Sequence, residues 1–491
     1  MIDLTINEKV LNRAVQRARE RNIIIPTFEE EKHPNKLVSS SIKNELSSLS
    51  LWEVHPRNLF RITWKNEPKE VGGGFRDIAN YIELPPELTG VEARIIALVG
   101  KWFPTGAHKV GAAYGCLVPR LITGQFDPTT QKAVWPSTGN YCRGGAFDSS
   151  LLACDSIAIL PEEMSRERFD WLKTVSGEII KTPGGESNVK EIFDKCWELQ
   201  KERGNKAIVI FNQFDEFGNH LWHYEVTGNA MKEVLDNELN GDTYRGVCLT
   251  TGSAGTIGCG DFLKEHYPAS KIAAGESVQC PTLLLNGYGY HRIEGIGDKH
   301  VPWIHNVKNT DLVIAIDDRD CMNLVRLFNE PVGHAYLRNQ GVPEEIVSQL
   351  HLLGISSIAN VLMAIKFAKY YELTRKDVIL TVFTDSMELY GSRVAELKAE
   401  FGDYNERNAS ADFHRSLHGI RTDSMAELRY IDRKRIHHLK YFTWIEQQGK
   451  FIEELDRQWH DYDNYWQSIN LLTPKIDVLI KDFNKKVGLN V

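Results

Sequence analysis

Lys109 ends the segment TGAHK, Thr105 to Lys109, directly after a threonine–glycine turn and a histidine. The residues that follow it, VGAAYGCLV, are small and apolar, so they would bury the stem of the lysine side chain. A buried amine has a depressed pKa and can act both as a nucleophile and as a proton shuttle. The surroundings favour this role for Lys109 over that of a solvated surface charge. His108 has two interpretations: it contacts a bound phosphate, or it packs at the start of a helix.

A glycine-rich segment, TTGSAGTIG at Thr250 to Gly258, lies between a candidate strand and a candidate helix. Its small residues allow a tight run of backbone amides, and its hydroxyls add further hydrogen-bond donors for an anion. The spacing does not fit a dinucleotide fingerprint, and no lysine stands where a P-loop requires one. The segment therefore predicts a site for the phosphate of a smaller cofactor, formed by Gly252, Ser253, Ala254, Gly255 and Thr256.

The segment PSTGN, Pro136 to Asn140, also follows a candidate strand and opens a helix. Hydroxyls and backbone amides that converge at a helix N-terminus suit a carboxylate. The Asn140 amide could also donate a hydrogen bond to a phenolic oxygen. For this motif alone, an ordinary helix cap is an equally good interpretation.

Near residue 385 the segment FTDS, Phe383 to Ser386, ends another candidate strand. A serine facing a pyridine nitrogen forms a neutral hydrogen bond, whereas a carboxylate would hold that nitrogen protonated. Asp385 is the rival of Ser386, because alternate residues of a strand point to opposite faces. An amine, a phosphate cradle, a carboxylate loop and a late serine together predict pyridoxal 5'-phosphate, bound to Lys109 as a Schiff base.

Repeated strand–helix units would position these segments between about residues 90 and 390, around parallel sheets. Seven runs are candidate strands: 132–136, 156–160, 178–182, 207–211, 246–250, 312–316 and 378–383. The first 70 residues read as a helix followed by a polar, proline-punctuated approach. After about residue 395, aromatic residues recur at helical spacing, which predicts a layer packed on the main body or on a second subunit rather than a ligand cage.

Length and charge narrow the class of protein. The 491 residues can form two or three lobes, and the net charge of −8 argues against a nucleic-acid or anionic-membrane partner. No apolar run is long enough to span a membrane, and the charged N-terminus lacks the apolar core of a signal peptide. The eight cysteines include no C-x-x-C pair, which favours reduced thiols in a cytoplasmic protein over a zinc site or disulfides. No metal is expected.

In their order along residues 95–395, these motifs resemble the tryptophan-synthase-β-like superfamily of pyridoxal phosphate enzymes (fold type II), closest to cysteine synthase and cystathionine β-synthase. PSTGN resembles the family's substrate-carboxylate loop, and the segment 212–228, NQFDEFGNHLWHYEVTG, resembles its Q-Q-F-x-N-P-A-N segment. The motif RIEGIG matches the glycine strand beside the cofactor ring, and FTDS resembles a P-D-S motif. The resemblance implies substrate binding by Ser137, Thr138, Gly139, Tyr141 and Gln213, and cofactor binding by His108, Lys109, Asn140, the 252–256 loop, Gly295 and Ser386.

Two features depart from plain cysteine synthases. TGAHK is the Schiff-base motif of tryptophan synthase β, and Tyr141 stands where the family has threonine. The long C-terminal extension has no counterpart in those enzymes, and it lacks the repeated β-α-β pattern of a regulatory CBS-domain pair.

The family's fold is α/β, with two open parallel-sheet lobes. In this chain we expect an N-terminal helical arm and a C-terminal helical extension in addition. We expect the arm at 1–70, the cofactor-binding catalytic core at 71–395 and the extension at 396–491. A mobile small lobe at about 115–245 would be inserted in the large lobe. The resemblance also implies a homodimer.

The implied reaction is β-replacement or β-elimination on a small amino acid of the serine, O-acetylserine or cysteine type, through an aminoacrylate intermediate. Lys109 would both carry the cofactor and remove the α-proton. One alternative is a deaminase or desulfhydrase lyase of the same fold. An alternative of another class is a non-catalytic scaffold that binds the cofactor.

Overall fold

A computed structural model describes residues 1–137, 139–185 and 188–489 of the chain. Two sheets form its centre, one of seven strands in the order β1-β2-β10-β7-β8-β9-β11 and one of four in the order β5-β4-β3-β6. The strands are β1 Tyr81–Leu84, β2 Arg94–Val99, β3 Lys132–Pro136, β4 Ser156–Pro161, β5 Glu178–Thr182, β6 Ile208–Ile210, β7 Thr243–Thr250, β8 Lys271–Ser277, β9 Leu312–Ile316, β10 Asp377–Phe383 and β11 Met425–Glu427.

Most neighbouring strands are parallel, and the antiparallel pairs lie at the two edges of the large sheet, β1 with β2 and β9 with β11. The small sheet is parallel throughout. Helices cover both sheets, as parallel strands require. The two-lobed α/β fold class that the sequence predicted is therefore confirmed.

Helices account for most of the remaining chain. They are α1 Glu8–Glu20, α2 Phe28–Lys32, α3 Pro34–Leu37, α4 Ser40–Ser48, α5 Pro86–Thr89, α6 Lys109–Thr123, α7 Asn140–Leu151, α8 Arg166–Val175, α9 Val189–Arg203, α10 Phe217–Trp222, α11 Gly228–Glu238, α12 Ile257–His266, α13 Thr282–Leu285, α14 Asp318–Asn329, α15 Pro331–Asn339, α16 Glu344–Val347, α17 Ile355–Tyr370, α18 Gly391–Phe401, α19 Glu406–Asp412, α20 Tyr430–Lys440, α21 Ile452–His460, α22 Tyr462–Asn470 and α23 Thr473–Val487.

All seven candidate strands are present, and four further strands were not recognised in the sequence. β1 and β11 are short edge strands, and β11 has only three residues, so neither carries a long apolar run. β8, KIAAGES, consists largely of lysine, alanine, glycine and glutamate, which have low strand propensity. Its burial between β7 and β9 overrides that preference.

Helix α6 carries Lys109 at its first residue and lies very close to α10. An added Cβ on Gly111 would collide with the Trp222 ring, and one on Gly115 would collide with the Gly218 backbone carbonyl. The glycines that the sequence placed after the lysine therefore let two helix backbones touch. This contact fixes the direction in which α6 presents its lysine.

The C-terminal extension packs on the body of the protein, one of the two arrangements that its aromatic spacing predicted. Trp444, Tyr465 and Trp466 are buried in one cluster with Phe217 and Trp303. All eight cysteines are buried and free. Within the described ranges, no helix combines the length and the apolar character needed to cross a membrane.

Candidate active site

A cavity lies where the carboxyl ends of strands from both sheets approach the N-terminus of α6. The parallel strands of each sheet place the loops that follow them at one edge, so residues distant in sequence meet there. Most of the residues singled out from the sequence line it: His108, Lys109, Ser137, Asn140, Tyr141, Gln213, Gly252, Ser253, Ala254, Gly255, Thr256 and Gly295.

Lys109 connects the two lobes through its ammonium group. Its Nζ donates to the Ser253 hydroxyl at 3.0 Å and to the Gln213 side-chain oxygen at 3.3 Å. Ser253 follows β7 of the large sheet, and Gln213 follows β6 of the small sheet. Just before the lysine, Thr105 and Gly106 both have positive φ, at 68° and 70°, which turns the chain sharply into α6.

The loop Gly252–Thr256, which its composition predicts to bind an anion (the anion cradle), lines the cavity. None of its five backbone amides donates a hydrogen bond to any residue that the structure describes. An added Cβ on Gly252 would lie 2.5 Å from the Gly295 carbonyl oxygen, and one on Gly255 would collide with the Asn219 amide. Ala254 has a φ of 62°, and α12 begins directly after the loop. A run of unpaired amides at a helix N-terminus fits a phosphate group.

The predicted carboxylate loop is assembled around Ser137. Its hydroxyl accepts hydrogen bonds from the Gln213 side-chain amide and from the Gly139 backbone amide, both at 3.1 Å. Gly139 does not line the cavity, and an added Cβ there would collide with the Arg168 guanidinium. Thr138, also singled out from the sequence, lies outside the described residues.

His108 is buried in the cavity wall and is 1% exposed. Neither of its ring nitrogens has a hydrogen-bond partner among the residues described, and its ring meets the His223 ring edge-on at 4.9 Å. Burial, and secondarily the Lys109 charge, lower the pKa of His108 to about 3. The imidazole is therefore neutral and holds unused hydrogen-bonding capacity beside the lysine, which fits a phosphate contact as well as packing.

Asp385 and Ser386 are both buried, yet neither lines the cavity. The Asp385 carboxylate accepts hydrogen bonds from the Asn140 amide at 2.5 Å and from the Tyr390 hydroxyl at 2.6 Å. The residues of this segment that do line the cavity are Val382 and Thr384. The assignment of Ser386 to the ring nitrogen stays a prediction.

Seven further lining residues were not among the site residues predicted from the sequence: Leu249, Thr250, Asp298, Ser356, Asn360, Val382 and Thr384. Asn360 clamps the ends of two strands, because its side chain accepts from the Thr250 amide at 2.8 Å and donates to the Val382 carbonyl at 2.7 Å. The four-residue spacing of Ser356 and Asn360 places them on one face of α17 and could have revealed them. Asp298 directly follows the RIEGIG motif.

Arg143 lies in the first turn of α7, and its guanidinium packs on two tryptophans, 5.3 Å from the Trp52 ring and 4.8 Å from the Trp171 ring. The side chain is buried, and two of its nitrogens have no hydrogen-bond partner within the described ranges. Burial lowers its pKa to about 10. The cation–π contacts with the two tryptophan rings offset part of the cost of burying the guanidinium charge.

Buried ionic contacts join α8, which follows the small-sheet strand β4, to the loops of the large sheet. Arg168 lies 2.9 Å from Glu294, and Arg393 lies 2.6 Å from the same carboxylate. Arg168 also donates to the Tyr390 hydroxyl at 2.9 Å. With the Asn140–Asp385 bond, these contacts hold the lobes together beside the cavity.

Comparison with known proteins identifies the same region. A family model described as pyridoxal-phosphate dependent enzyme matches residues 101–336. Cysteine synthase B of Campylobacter jejuni is 31% identical over 288 residues, which cover 58% of this chain and 86% of that protein. Cystathionine beta-synthase of Saccharomyces cerevisiae is 27% identical over 314 residues, 62% of this chain and only 58% of the yeast protein.

Among solved structures, cysteine synthase from Entamoeba histolytica superimposes with a TM-score of 0.56 at 21% identity, covering 68% of this chain and 92% of that one. This similarity concerns the fold alone. The matched family region begins just before TGAHK and ends after β9, so it includes Lys109, the carboxylate loop and the anion cradle.

Proposed function

This chain belongs to the family of pyridoxal-phosphate dependent enzymes, and on that premise we propose that it catalyses β-replacement or β-elimination on a small amino acid of the serine, O-acetylserine or cysteine type. The observation that carries the proposal is the position of Lys109, whose amine meets the anion cradle through Ser253 and the carboxylate loop through Gln213. The names of its relatives, cysteine synthase and cystathionine beta-synthase, support the same chemistry.

When bound, pyridoxal phosphate supplies the electron sink that makes the α-proton of an amino acid acidic. In our proposal the Lys109 amine would hold the cofactor covalently and would take the α-proton of the substrate. The amides of the 252–256 loop would hold the phosphate, and Asn140 would donate to the phenolic oxygen. Ser386 is proposed for the ring nitrogen.

The substrate α-carboxylate would be held at the Ser137 hydroxyl and the Gln213 amide. These groups already bond to each other at 3.1 Å, so their donors are oriented before a ligand arrives. A preorganised site spends less free energy on ordering when it binds. Tyr141, buried in the cavity wall, would limit the size of the β-substituent.

Replacement and elimination differ in what reacts after the β-substituent has left. A lyase admits water, whereas a synthase excludes it until a second substrate has bound. The family relatives named as synthases favour replacement, and a deaminase or desulfhydrase is the alternative.

The test is to screen the purified holoenzyme against amino acids for a change in cofactor absorbance, and then to measure pyruvate and replacement products. A spectral change with serine, O-acetylserine or cysteine, followed by turnover, supports the proposal. Pyruvate and ammonia without dependence on a second substrate would identify a lyase. No spectral change with any amino acid would contradict the proposal and favour the non-catalytic scaffold.

We also propose a homodimer in the cytoplasm, with the arm at 1–70, the core at 71–395 and the extension at 396–491. The dimer rests on the family resemblance, and the cytoplasmic site on eight reduced, buried thiols. Sedimentation of the purified protein and limited proteolysis at the two boundaries test these points.

A further inference from the structure

Asp298 is a buried carboxyl group in the cavity wall that sequence reasoning did not identify. It is 6% exposed, and its Oδ2 has no hydrogen-bond partner among the residues that the structure describes. A Cβ added to Gly252 would lie 3.7 Å from this oxygen, so the carboxyl stands beside the first residue of the anion cradle. Burial raises the pKa of this carboxyl group, and the charge of Lys109 acts in the opposite direction.

Most other buried acids near the site are paired with protein groups through at least one carboxylate oxygen. Asp261 accepts from the Asn306 and Asn309 amides, Glu276 accepts from two backbone amides, and Glu294 pairs with Arg168. Neither carboxylate oxygen of Asp148 has a hydrogen-bond partner within the described ranges, but Asp148 lies on α7 outside the cavity lining. Because a buried polar group without a partner is costly, an unsatisfied acid that faces a cavity points to a ligand.

The surroundings of Asp298 suit proton transfer near neutral pH. Burial, opposed by the Lys109 charge, raises the pKa of Asp298 to about 7, so acid and carboxylate are both accessible. A group with such a pKa can donate a proton in one step and accept one in the next.

The remaining titratable groups around the cavity do not offer this exchange. Burial lowers the pKa of His108 to about 3 and raises that of Tyr141 well above its usual value. On the loop itself, His291 bonds to the Gly297 carbonyl at 3.0 Å and His300 to the Asp298 carbonyl at 2.8 Å, and burial lowers both pKa values.

These histidines fix the backbone on both sides of the carboxyl group. The C-terminal extension adds support, since the Trp444 indole donates to the Val301 carbonyl at 2.8 Å. Asp298 is therefore presented from a braced loop and not from a mobile one. Catalytic groups require such support from the residues behind them.

We propose that Asp298 gives a proton to the group that leaves the β-carbon of the substrate and takes a proton from the group that replaces it. This inference rests on the proposed function. As the bond from Cβ to the substituent breaks, the substituent leaves with the electron pair and takes the Asp298 proton. As the bond from Cβ to the nucleophile forms, the nucleophile gives its proton to the Asp298 carboxylate. The acid is regenerated, and Lys109 handles only the α-proton.

Comparison of two leaving groups tests this assignment in the holoenzyme. Hydroxide leaves L-serine only with a proton, whereas chloride leaves β-chloro-L-alanine without one. Asp298→Asn keeps the shape but cannot transfer a proton, so turnover of serine should fall at least about 100-fold and turnover of β-chloroalanine less than about fivefold. Exchange of the substrate α-hydrogen in D2O, which reports Lys109, should persist.

An equal loss with both substrates, or no loss with serine, would overturn the proposal. Loss of α-hydrogen exchange in Asp298→Asn would show a structural role instead. If the wild-type protein itself exchanges no α-hydrogen with any amino acid, the proposed function fails first, and that failure is visible before Asp298 is altered.

The pH profile supplies a second readout. Wild-type kcat/KM for serine should fall as the pH rises through about 7, because the proton that the leaving group needs is then lost. Asp298→Glu should keep part of the serine activity that Asp298→Asn loses, and its kcat/KM should fall at a shifted pH. The profile of Asp298→Asn should not show this fall. Asp261→Asn is the matched control, because burial raises the pKa of Asp261 to about 7 as well, yet Asp261 does not line the cavity. In this variant the ratio of the activities with serine and with β-chloroalanine should not change.

Discussion

The Lys109 amine lies within hydrogen-bonding distance of one residue from each lobe, Ser253 and Gln213. Such a position suits a group that must first hold a cofactor and then move to the substrate α-carbon. The same two partners will orient the amine toward whatever carbonyl group the cradle brings in. Its chemistry is therefore set by three segments that are far apart in the sequence.

Lys109→Ala should abolish the covalent adduct that borohydride reduction forms with pyridoxal phosphate, because no other amine is held at the cradle in the cavity as described. Phosphate contacts should keep some cofactor bound without a covalent link. Peptide mass spectrometry of the reduced wild-type protein locates the adduct. Lys101→Ala, a change in a lysine that contacts Glu388 outside the lining, should leave it intact. An adduct on any other lysine contradicts the assignment.

Gln213→Ala should weaken amino-acid binding and leave the absorbance of the resting holoenzyme unchanged. A hydrogen bond to a charged carboxylate contributes about 1.5–3 kcal/mol, so the dissociation constant should rise roughly 10- to 100-fold. Titration with amino acids, followed by cofactor absorbance, measures it. Gln200→Ala, on the exposed side of the small lobe, is the control. Equal affinity in Gln213→Ala and wild type would place the carboxylate site elsewhere.

At the scale of elements, the proposed binding functions fall on the turns between strands and helices. The turn from β7 to α12 leaves five amides without a hydrogen-bond partner among the described residues, and Ser137, which follows β3, bonds to Gln213. Both turns depend on a glycine that leaves no room for a side chain. Gly252 lies against the Gly295 carbonyl, and Gly139 lies against the Arg168 guanidinium. Side chains at these positions would separate the loops that the site needs together.

Gly255→Asp should remove most of the cofactor from the purified protein. The new side chain would collide with Asn219 and place a negative charge in the cradle, where it repels phosphate. Cofactor content is measured by absorbance after release. Gly177→Asp brings the same charge to an exposed position where an added Cβ comes no closer than 3.4 Å to its neighbours, and it should retain the cofactor. Full cofactor content in Gly255→Asp would exclude the loop as the phosphate site.

At the scale of the whole molecule, the C-terminal extension supports the active-site loops from behind. Lys440 is fully buried and donates to the Trp303 and His305 carbonyls, at 2.8 and 2.7 Å. Lys450 pairs with Asp215, two residues after Gln213, at 2.7 Å. The extension therefore contacts the segments that present both Asp298 and Gln213, and we expect its loss to disturb the site as well as the stability.

Trp444→Ala should lower the free energy of unfolding by about 3–5 kcal/mol, the usual cost of removing a buried tryptophan. The side chain is fully buried, and its indole nitrogen donates to the Val301 carbonyl. Denaturant unfolding measures the change. Phe442→Ala alters a neighbouring aromatic that is 61% exposed, so it should cost less than about 0.5 kcal/mol. Similar stabilities of the two variants would mean that the layer does not support the core.

The sequence by itself determined the cofactor, the two-lobed fold and the loops that line the cavity. Turns such as TGAHK and TTGSAGTIG are local, since small residues and positive φ values at a strand-to-helix junction depend on a few neighbouring positions. Their order along the chain then indicated the family, and the family model and the relatives confirmed it. Lys109 and the 252–256 loop could therefore be singled out without knowing which distant segments they contact.

Only the tertiary structure decided which polar groups remain unsatisfied. Asp298 looks like any acid after a glycine turn, and its importance appears when burial leaves Oδ2 without a partner. Asp385 differs in that its Oδ2 accepts a hydrogen bond from Asn140, which lies 245 residues away, although its Oδ1 also has no partner among the described residues. Arg143 could have formed a surface salt bridge, yet it packs between two tryptophans. Burial and pairing arise from contacts between distant segments, so the spacing of residues along the chain does not encode them directly.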